Sequence, residues 1–381
     1  MPLLRTTVAA VTLCLAATAF ADVQADYQAA VGAYRDQIRQ IEKLNSEYQD
    51  ADVSRREAIN DQLKPLVAEA STKLDVMTDA ALEVFKANPM ADEQITDLLQ
   101  TVVEFQIVGG PNGGGDQYEA ALPILEALID GGDKKPELPM WGVLAAVSTN
   151  EFDLADKFAK IAVETGAVRA QPGDSEAAQE TFGAAMRYLE EKDRYRARWE
   201  KEAKIRQAEA AADNNPRVKM TLSKGDIVIE LFEDQAPIAT ANFLSLVKDG
   251  FYDGVVFHRV LPRFMAQGGD PTGSGSGGPG YSIACECSRP DHRQHFRGTL
   301  SMAHAGKDTG GSQFFLCFVP TDFLDGRHTA FGRVVEGIEL LGEIQRIDPG
   351  ARSGVEPDKI VKAEVLRDRG GDYDFKKLPK R

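Results

Sequence analysis

The apolar residues of this chain keep two different periods, and the change falls at one proline. Before Pro216 they recur three and four apart: Leu63, Leu66 and Val67, then Leu74, Met77, Ala81 and Phe85, then Leu122, Leu125, Leu128 and Ile129. That is the period of an amphipathic helix. From Arg217 they alternate with polar residues: Val218, Met220 and Leu222, then Ile227, Ile229 and Leu231 around the turn residues Lys224-Gly225-Asp226. Alternation is the period of a half-buried strand, and a tight glycine turn between two such runs predicts a hairpin. A helix-period pattern does not settle as a strand, nor the reverse. The 381 residues therefore hold at least two domains of different class. The expected fold class is α+β multidomain, with an all-α N-terminal region. Short strands with few helices and glycine-rich loops in the second part point to a closed β-barrel.

Charge divides at the same place. The net charge of −15 makes nonspecific nucleic-acid binding unfavourable, because such binding needs basic residues to displace counterions from phosphates. Residues 22–215 hold 37 acidic and 21 basic residues, whereas residues 216–381 hold 22 of each and all five histidines. The acidic excess belongs to the helical part, where it favours protein partners over nucleic acid or an anionic membrane surface.

Residues 1–21 have the pattern of a cleaved secretory signal. Arg5 precedes an apolar run from Val8 to Ala17, and Ala19-Phe20-Ala21 is a small-x-small site that leaves Asp22 as the mature N-terminus. The run is shorter than the roughly 20 residues needed to span a bilayer. The expected location is exported, periplasmic or extracellular, with no membrane insertion after cleavage. Cysteines pair in such compartments, yet the mature chain keeps only Cys285, Cys287 and Cys317. No obligatory disulfide framework is expected, and a bond from Cys285 or Cys287 to Cys317 stays open.

Residues 22–175 are predicted as an acidic α-helical domain. Asn88-Pro89, the run Gly109–Gly115 and Gly131-Gly132 separate its helices, and Pro65 and Pro123 are read as helix starts. Trp141, Leu144 and Ala145, then Ala155, Phe158, Ile161 and Ala162, form two apolar faces about the turn Asn150-Glu151-Phe152. This helix pair resembles a tetratricopeptide hairpin, with a weaker neighbour at 116–130. A generic bundle is favoured because no fixed period repeats. A long charged helix follows over 176–212, with Glu190 four before Arg194, Glu200 before Lys204 and Glu202 before Arg206. Within the segment 176–215 a solvated spacer is favoured over a partner-binding arm. Asp213-Asn214-Asn215-Pro216 ends it.

The second domain is placed at 216–368, with a tail over 369–381. A short helix is expected from Ala236-Pro237 through Val247. Three blocks then stand in order: Phe257-His258-Arg259-Val260-Leu261-Pro262-Arg263-Phe264-Met265-Ala266-Gln267-Gly268-Gly269-Asp270, Ser301-Met302-Ala303-His304-Ala305-Gly306 with Gly311-Ser312-Gln313-Phe314-Phe315, and Leu324-Asp325-Gly326-Arg327-His328-Thr329-Ala330-Phe331-Gly332. Together they resemble the cyclophilins, the cyclosporin-type peptidyl-prolyl isomerases, over residues 217 to about 366. The resemblance implies an eight-stranded antiparallel β-barrel capped by two helices, the second near Ile338–Ile344, with Lys359–Leu366 as the closing strand.

The same resemblance implies an enzyme that rotates X-Pro peptide bonds in folding or client proteins, without a cofactor. Arg259 would be the catalytic group. Phe264, Met265, Phe315 and Leu324 would form the proline pocket, with His328 at its rim. Gln267 would bond the substrate carbonyl region, Ala303 and His304 would pair with the peptide backbone, and Gly275 and Gln313 would touch the substrate. Two positions depart from the family pattern. Phe323 stands where many members carry a tryptophan that donates to cyclosporin, and phenylalanine has no such donor. This implies weak cyclosporin binding with catalysis retained. His304 stands where asparagine is common, which adds a titratable ring near neutrality. The cluster Cys285, Cys287, His292 and His295 invites a metal, but Cys-x-Cys is unlike structural-zinc spacing, and no metal is expected. A non-catalytic proline-peptide-binding chaperone or scaffold is the alternative function.

Overall fold

The computed structural model describes residues 3–110, 114–167, 175–350, 355–371 and 373–380, with side chains from residue 21 onward. Its helices are α1 (Leu3–Asp50), α2 (Val53–Ala87), α3 (Glu93–Ile107), α4 (Tyr118–Asp130), α5 (Leu138–Thr149), α6 (Phe152–Thr165), α7 (Glu176–Ala212) and α8 (Pro237–Lys248). Its strands are β1 (Arg217–Leu222), β2 (Gly225–Leu231), β3 (Arg259–Leu261), β4 (Met265–Gly268), β5 (Tyr281–Ser282), β6 (Thr299–Met302), β7 (Phe314–Cys317), β8 (Ala330–Glu336), β9 (Ile360–Arg367) and β10 (Leu378–Pro379). Two compact units result: residues up to Val103 with Ile124–Lys135, and Glu104–Pro123 with Pro136–Arg381. No helix among the described residues is long and apolar enough to cross a membrane.

In the first unit a two-residue link folds α1 back against α2, and the Asp52 carboxylate caps α2 by accepting from the Arg55 N–H at 2.9 Å. Gln37 of α1 donates to the Leu66 carbonyl at 3.0 Å and accepts from Lys73 at 2.7 Å. Pro65 is not a helix start: it lies inside α2. It removes one N–H from the ladder, but Ile59 on one side and Ala70, Met77 and Ala81 on the other stay buried. That burial outweighs local propensity. Gly131 makes room for the ring of Phe85, which a Cβ there would meet at 2.7 Å.

The second unit carries the sheet and the helices around it. Pro123 also falls inside its helix rather than at the start, because buried Tyr118 anchors α4 five residues earlier through a 2.8 Å bond to Asp116. The hairpin of α5 and α6 is present. Asn150 turns it in the left-handed region, and Gly142 lets the helices close, since a Cβ there would meet Phe158 at 2.6 Å. The 116–130 segment supplies one helix rather than a second hairpin, so the tetratricopeptide likeness stops at one unit.

The expected solvated spacer is instead packed onto the sheet domain. From α7, Tyr188 and Tyr195 are buried, and Trp199 meets Phe296 edge-on at 5.3 Å. The Tyr188 hydroxyl donates to the Pro320 carbonyl at 3.2 Å. Glu202, 4% exposed, accepts from Arg293 at 2.5 Å and pairs with Arg206 at 2.9 Å. Arg293 also reaches Glu209 and lies 3.8 Å from the centre of the Phe232 ring. Arg194, Arg198, Glu202 and Glu209 are spent across this interface, while Glu190, Glu200 and Lys204 stay exposed.

The eight-stranded sheet has the order β3-β4-β7-β6-β8-β2-β1-β9, every neighbour antiparallel. It is a curled half-barrel whose open side carries two isolated bridges, Val256 before β3 to Lys359 just before β9, and Val260 of β3 to Ile347. The first hairpin turns on Ser223-Lys224, one residue earlier than expected, with Gly225 opposite Leu222 at φ 149°. Alternate residues Val218, Met220, Ile227 and Ile229 face the core with Phe243 and Leu244 of α8, Phe314 and Phe331. The second cap, Ile338–Glu343, is a 3₁₀ helix, a short segment that starts from left-handed Gly337.

Burial pushes the Glu202 carboxyl up, but hydrogen bonds and charge from Arg293, with Arg206 beside them, outweigh it and hold the pKa below the ordinary value of 4.5. Its contribution is therefore full above the unfolded pKa and is lost as pH falls through the lower folded one. Glu202→Gln keeps an acceptor for Arg293 and leaves Glu209 as its counter-charge, so the cost is about 1–3 kcal/mol. Urea unfolding at pH 7 followed by tryptophan fluorescence should show a clearly lower midpoint, with the gap narrowing at acid pH. Equal midpoints at pH 7 would contradict the interface.

Candidate active site

The polar side of the site is a ladder of three side chains, two on the neighbouring strands β3 and β4 and the third, Gln313, just before β7. Antiparallel register sets Arg259 of β3 opposite Gln267 of β4, and Gln267 opposite Phe315 of β7. The Arg259 guanidinium donates to Gln267 Oε1 at 3.4 Å, and Gln267 Nε2 donates to Gln313 Oε1 at 2.9 Å. Gln313 Nε2 is anchored on the carbonyls of Gly275 and Gly277, at 3.0 and 2.9 Å. Each amide is thus oriented by the next, and the chain ends on a charge.

The apolar side lies next to it. Met265, Phe315 and Cys317 are buried, with Leu261, Phe264, Ala303 and Leu324 packed on them. Arg259 lies 5.7 Å from the Phe264 ring centre. Phe264 follows Arg263, which takes a left-handed backbone (φ 54°) stabilised by the Asp116 carboxylate, to which its N–H donates at 3.0 Å. Leu324 comes from the 3₁₀ turn Asp322–Leu324. That turn is gripped by α7: Arg194 and Arg198 pair with Asp322, Arg198 with Asp325, and the Tyr195 hydroxyl donates to Asp322 at 3.0 Å.

Behind Phe315, His295 stacks at 6.0 Å with its Nδ1 2.8 Å from Asp325 and its Nε2 2.9 Å from Ser301 Oγ. The order Asp–His–Ser imitates a hydrolase triad. His295 and Ser301 are both buried, however, and Ser301 Oγ also donates to the Thr329 carbonyl at 3.1 Å. The trio stiffens a wall and presents no nucleophile.

At the far rim His304 stacks on His328, with ring centres 4.1 Å apart. A hydrogen bond to Cys285 pulls the His304 pKa upward, while burial pushes that of His328 down. The Gly306 N–H donates to His304 Nδ1 at 3.2 Å, and His304 Nε2 lies 2.9 Å from the Arg327 carbonyl, an arrangement the neutral Nε2–H tautomer satisfies. The Ala303 N–H donates to the Gln313 carbonyl at 3.0 Å. The Ala303 N–H is thus already spent inside the fold.

One cavity of about 710 Å³ gathers these groups. Arg259, Phe264, Met265, Gln267, Gly275, Ala303, His304, Gln313, Phe315, Leu324 and His328 all line it. Phe323 does not: it is 53% exposed and tilts against Phe264 at 5.7 Å, outside the lining. The sequence reading missed the wall made by Ser276–Ser282, Thr309, Gly311 and Ser312, and also Lys380 of the tail. The glycine-serine run 273–280 was a usable signal for the first. Its fold is set by Asp270, whose buried carboxyl would rise but is held at about 2 by N–H groups of Gly277 and Thr272 and by the Thr272 hydroxyl. The candidate metal residues are dispersed: His295 serves Phe315, His292 Nδ1 lies 2.7 Å from the Arg289 carbonyl, and Cys285 Sγ accepts from the Asp308 N–H at 3.1 Å. No group of three metal-ligating side chains occurs among the described residues. Cys285, Cys287 and Cys317 are free thiols, and burial pushes the Cys317 pKa up to about 12.

The sequence profile of the cyclophilin type peptidyl-prolyl cis-trans isomerases matches residues 217–365. A peptidyl-prolyl cis-trans isomerase of Helicobacter pylori is 54% identical over 128 residues, 33% of this chain and 78% of its own. Peptidyl-prolyl cis-trans isomerase B of Bacillus subtilis is 56% identical over 122 residues, 32% of this chain and 85% of its own. The chain belongs to the cyclophilin family. It is a peptidyl-prolyl cis-trans isomerase. A crystal structure of a Cryptosporidium parvum cyclophilin in the presence of the dipeptide Ala-Pro is 34% identical, covering 40% of this chain and 99% of its own, with a TM-score of 0.37. The helices α1 to α7 precede the cyclophilin match, and the tail from Leu366 follows it. The grip of α7 on Asp322 and Asp325 therefore comes from outside the cyclophilin domain.

Proposed function

We propose that this cyclophilin isomerises X-Pro bonds by binding the twisted amide more tightly than either planar form. Amide resonance opposes rotation by about 18–20 kcal/mol, and uncatalysed exchange at proline takes tens to hundreds of seconds. No covalent bond has to break. Twisting returns the lone pair to the proline nitrogen, so a fixed cationic donor beside that nitrogen stabilises the twisted state selectively.

The observation that carries this reading is the position of Arg259 at the seam of the two halves, 3.4 Å from Gln267 and 5.7 Å from the Phe264 ring centre. A proline ring held by Phe264, Met265, Phe315 and Leu324 puts its nitrogen on the Arg259 side. Gln267, oriented by Gln313, is free on the groove side to bond the acyl carbonyl. Substrates are proline-containing peptides and folding proteins. Rotation about the amide breaks no bond and moves no proton, so the reaction needs no proton shuttle.

Exchange NMR on an Ala-Pro peptide should give a kcat/KM for the full chain that falls at least tenfold in Arg259→Ala, about 1.4 kcal/mol. Arg259→Lys, which keeps charge but loses the planar fork, should fall between. Peptide binding without any acceleration by the wild type would favour the binding-protein reading instead.

Export is part of the same proposal, supported by Arg5, the apolar run Val8–Ala17 and Ala19-Phe20-Ala21. Expressed with its first 21 residues in a bacterial host, the protein should be recovered outside the cytoplasm beginning at Asp22. Recovery from the cytoplasm beginning at Met1 would contradict it.

A further inference from the structure

We propose that the C-terminal segment is one wall of the substrate groove and that its Lys380 selects peptides carrying a carboxylate side chain near the proline. This rests on the isomerase reading above and adds a substrate preference to it.

The segment is a built part of the fold. Leu378 and Pro379 pair antiparallel with Ser282 and Tyr281. Tyr373 and Phe375 pack on the main core. Tyr281, which donates to Asn242 Oδ1 at 2.8 Å, has Phe375 at 6.0 Å and the Lys377 ammonium 4.5 Å from its ring centre. Upstream, Lys248 pairs with Asp368 at 2.7 Å and lies 4.9 Å from the Tyr373 ring, while Arg369 pairs with Asp234 at 2.5 Å. These contacts carry the chain from the end of β9 to the mouth of the cavity and deliver Lys380 into its lining.

The charge pattern gives this wall a chemical meaning. The described lining includes the cations Arg259 and Lys380 and no aspartate or glutamate. Arg259 is committed to the reacting amide. Lys380 follows Pro379, which pairs with Tyr281, so it sits on the β5 wall of the lining, apart from the Arg259–Gln267 ladder, where it meets side chains of the peptide. A groove with a cation on that wall and no aspartate or glutamate in its described lining attracts a glutamate or aspartate side chain and repels a lysine. The tail lies beyond the cyclophilin match, so this preference belongs to this chain and not to the shared domain.

The test uses the full chain at low salt and capped Ala-Pro peptides carrying Glu, Gln or Lys at each of three positions before and after the Ala-Pro pair, assayed by exchange NMR. At one position or more, kcat/KM should fall in the order Glu, Gln, Lys, with at least fivefold between the extremes, and salt should compress the spread. Lys380→Gln should remove the order and Lys380→Glu should invert it. Lys376→Gln, on a residue outside the lining, should keep it. No order at any position, or an order that survives Lys380→Glu, overturns the proposal. If no peptide is accelerated, the isomerase reading itself fails, and the preference with it.

Discussion

The apolar pocket around Phe315 and Leu324 is bordered by ion pairs that reach it from outside the cyclophilin domain. Leu324 is carried on a three-residue turn between Asp322 and Asp325, and both carboxylates are taken by arginines of α7. Asp325 also fixes His295, whose ring backs Phe315. One helix thus sets two walls of the pocket, one directly and one through a histidine. Arg293 with Glu202 and Glu209 holds the same helix further along. Buried ion pairs are costly to assemble but more costly to half-remove, so such an interface fixes one arrangement rather than adding much net stability.

That rigidity suits the chemistry. On the proposed mechanism the reaction asks for little beyond a fixed cation, a fixed ring pocket and room for the acyl side to turn. A donor that must reorganise as the amide twists loses its advantage. Arg259 to Gln267 to Gln313 to the Gly275 and Gly277 carbonyls is a chain in which every member is oriented by its neighbour. The polar half is thus fixed by the sheet and its glycine loop, and the apolar half by the sheet and α7.

Much of the site was legible because local motifs encode it. Phe264, Gln267 and Phe315 lie on or beside short strands, β4 and β7, that bury nearly every residue and show no alternation, and it is their motif spacing that carries the family pattern. The unread parts arise from contacts distant in sequence. Nothing in the charge pattern of α7 separates an arginine that meets solvent from one that meets Asp322, 128 residues on. The family pattern, with its tryptophan at this position, places Phe323 at the groove, yet its ring lies exposed against Phe264 while Leu324 beside it lines the cavity. Pro65 and Pro123 were read by local preference, which burial overrode. Lys380 enters the cavity only because β10 pairs with β5, a two-residue ladder that leaves no periodic trace.

The most direct test of a catalytic groove completed by α7 is the isomerase kcat/KM of the full chain with Arg194 and Arg198 both changed to alanine. It should be measured at a temperature where circular dichroism shows the variant folded. The account predicts a loss of about tenfold or more, roughly 1.4 kcal/mol, as Leu324 and Phe315 lose their fixed places. Wild-type kcat/KM in that variant would contradict it, and would leave α7 as a packed neighbour with no part in the site.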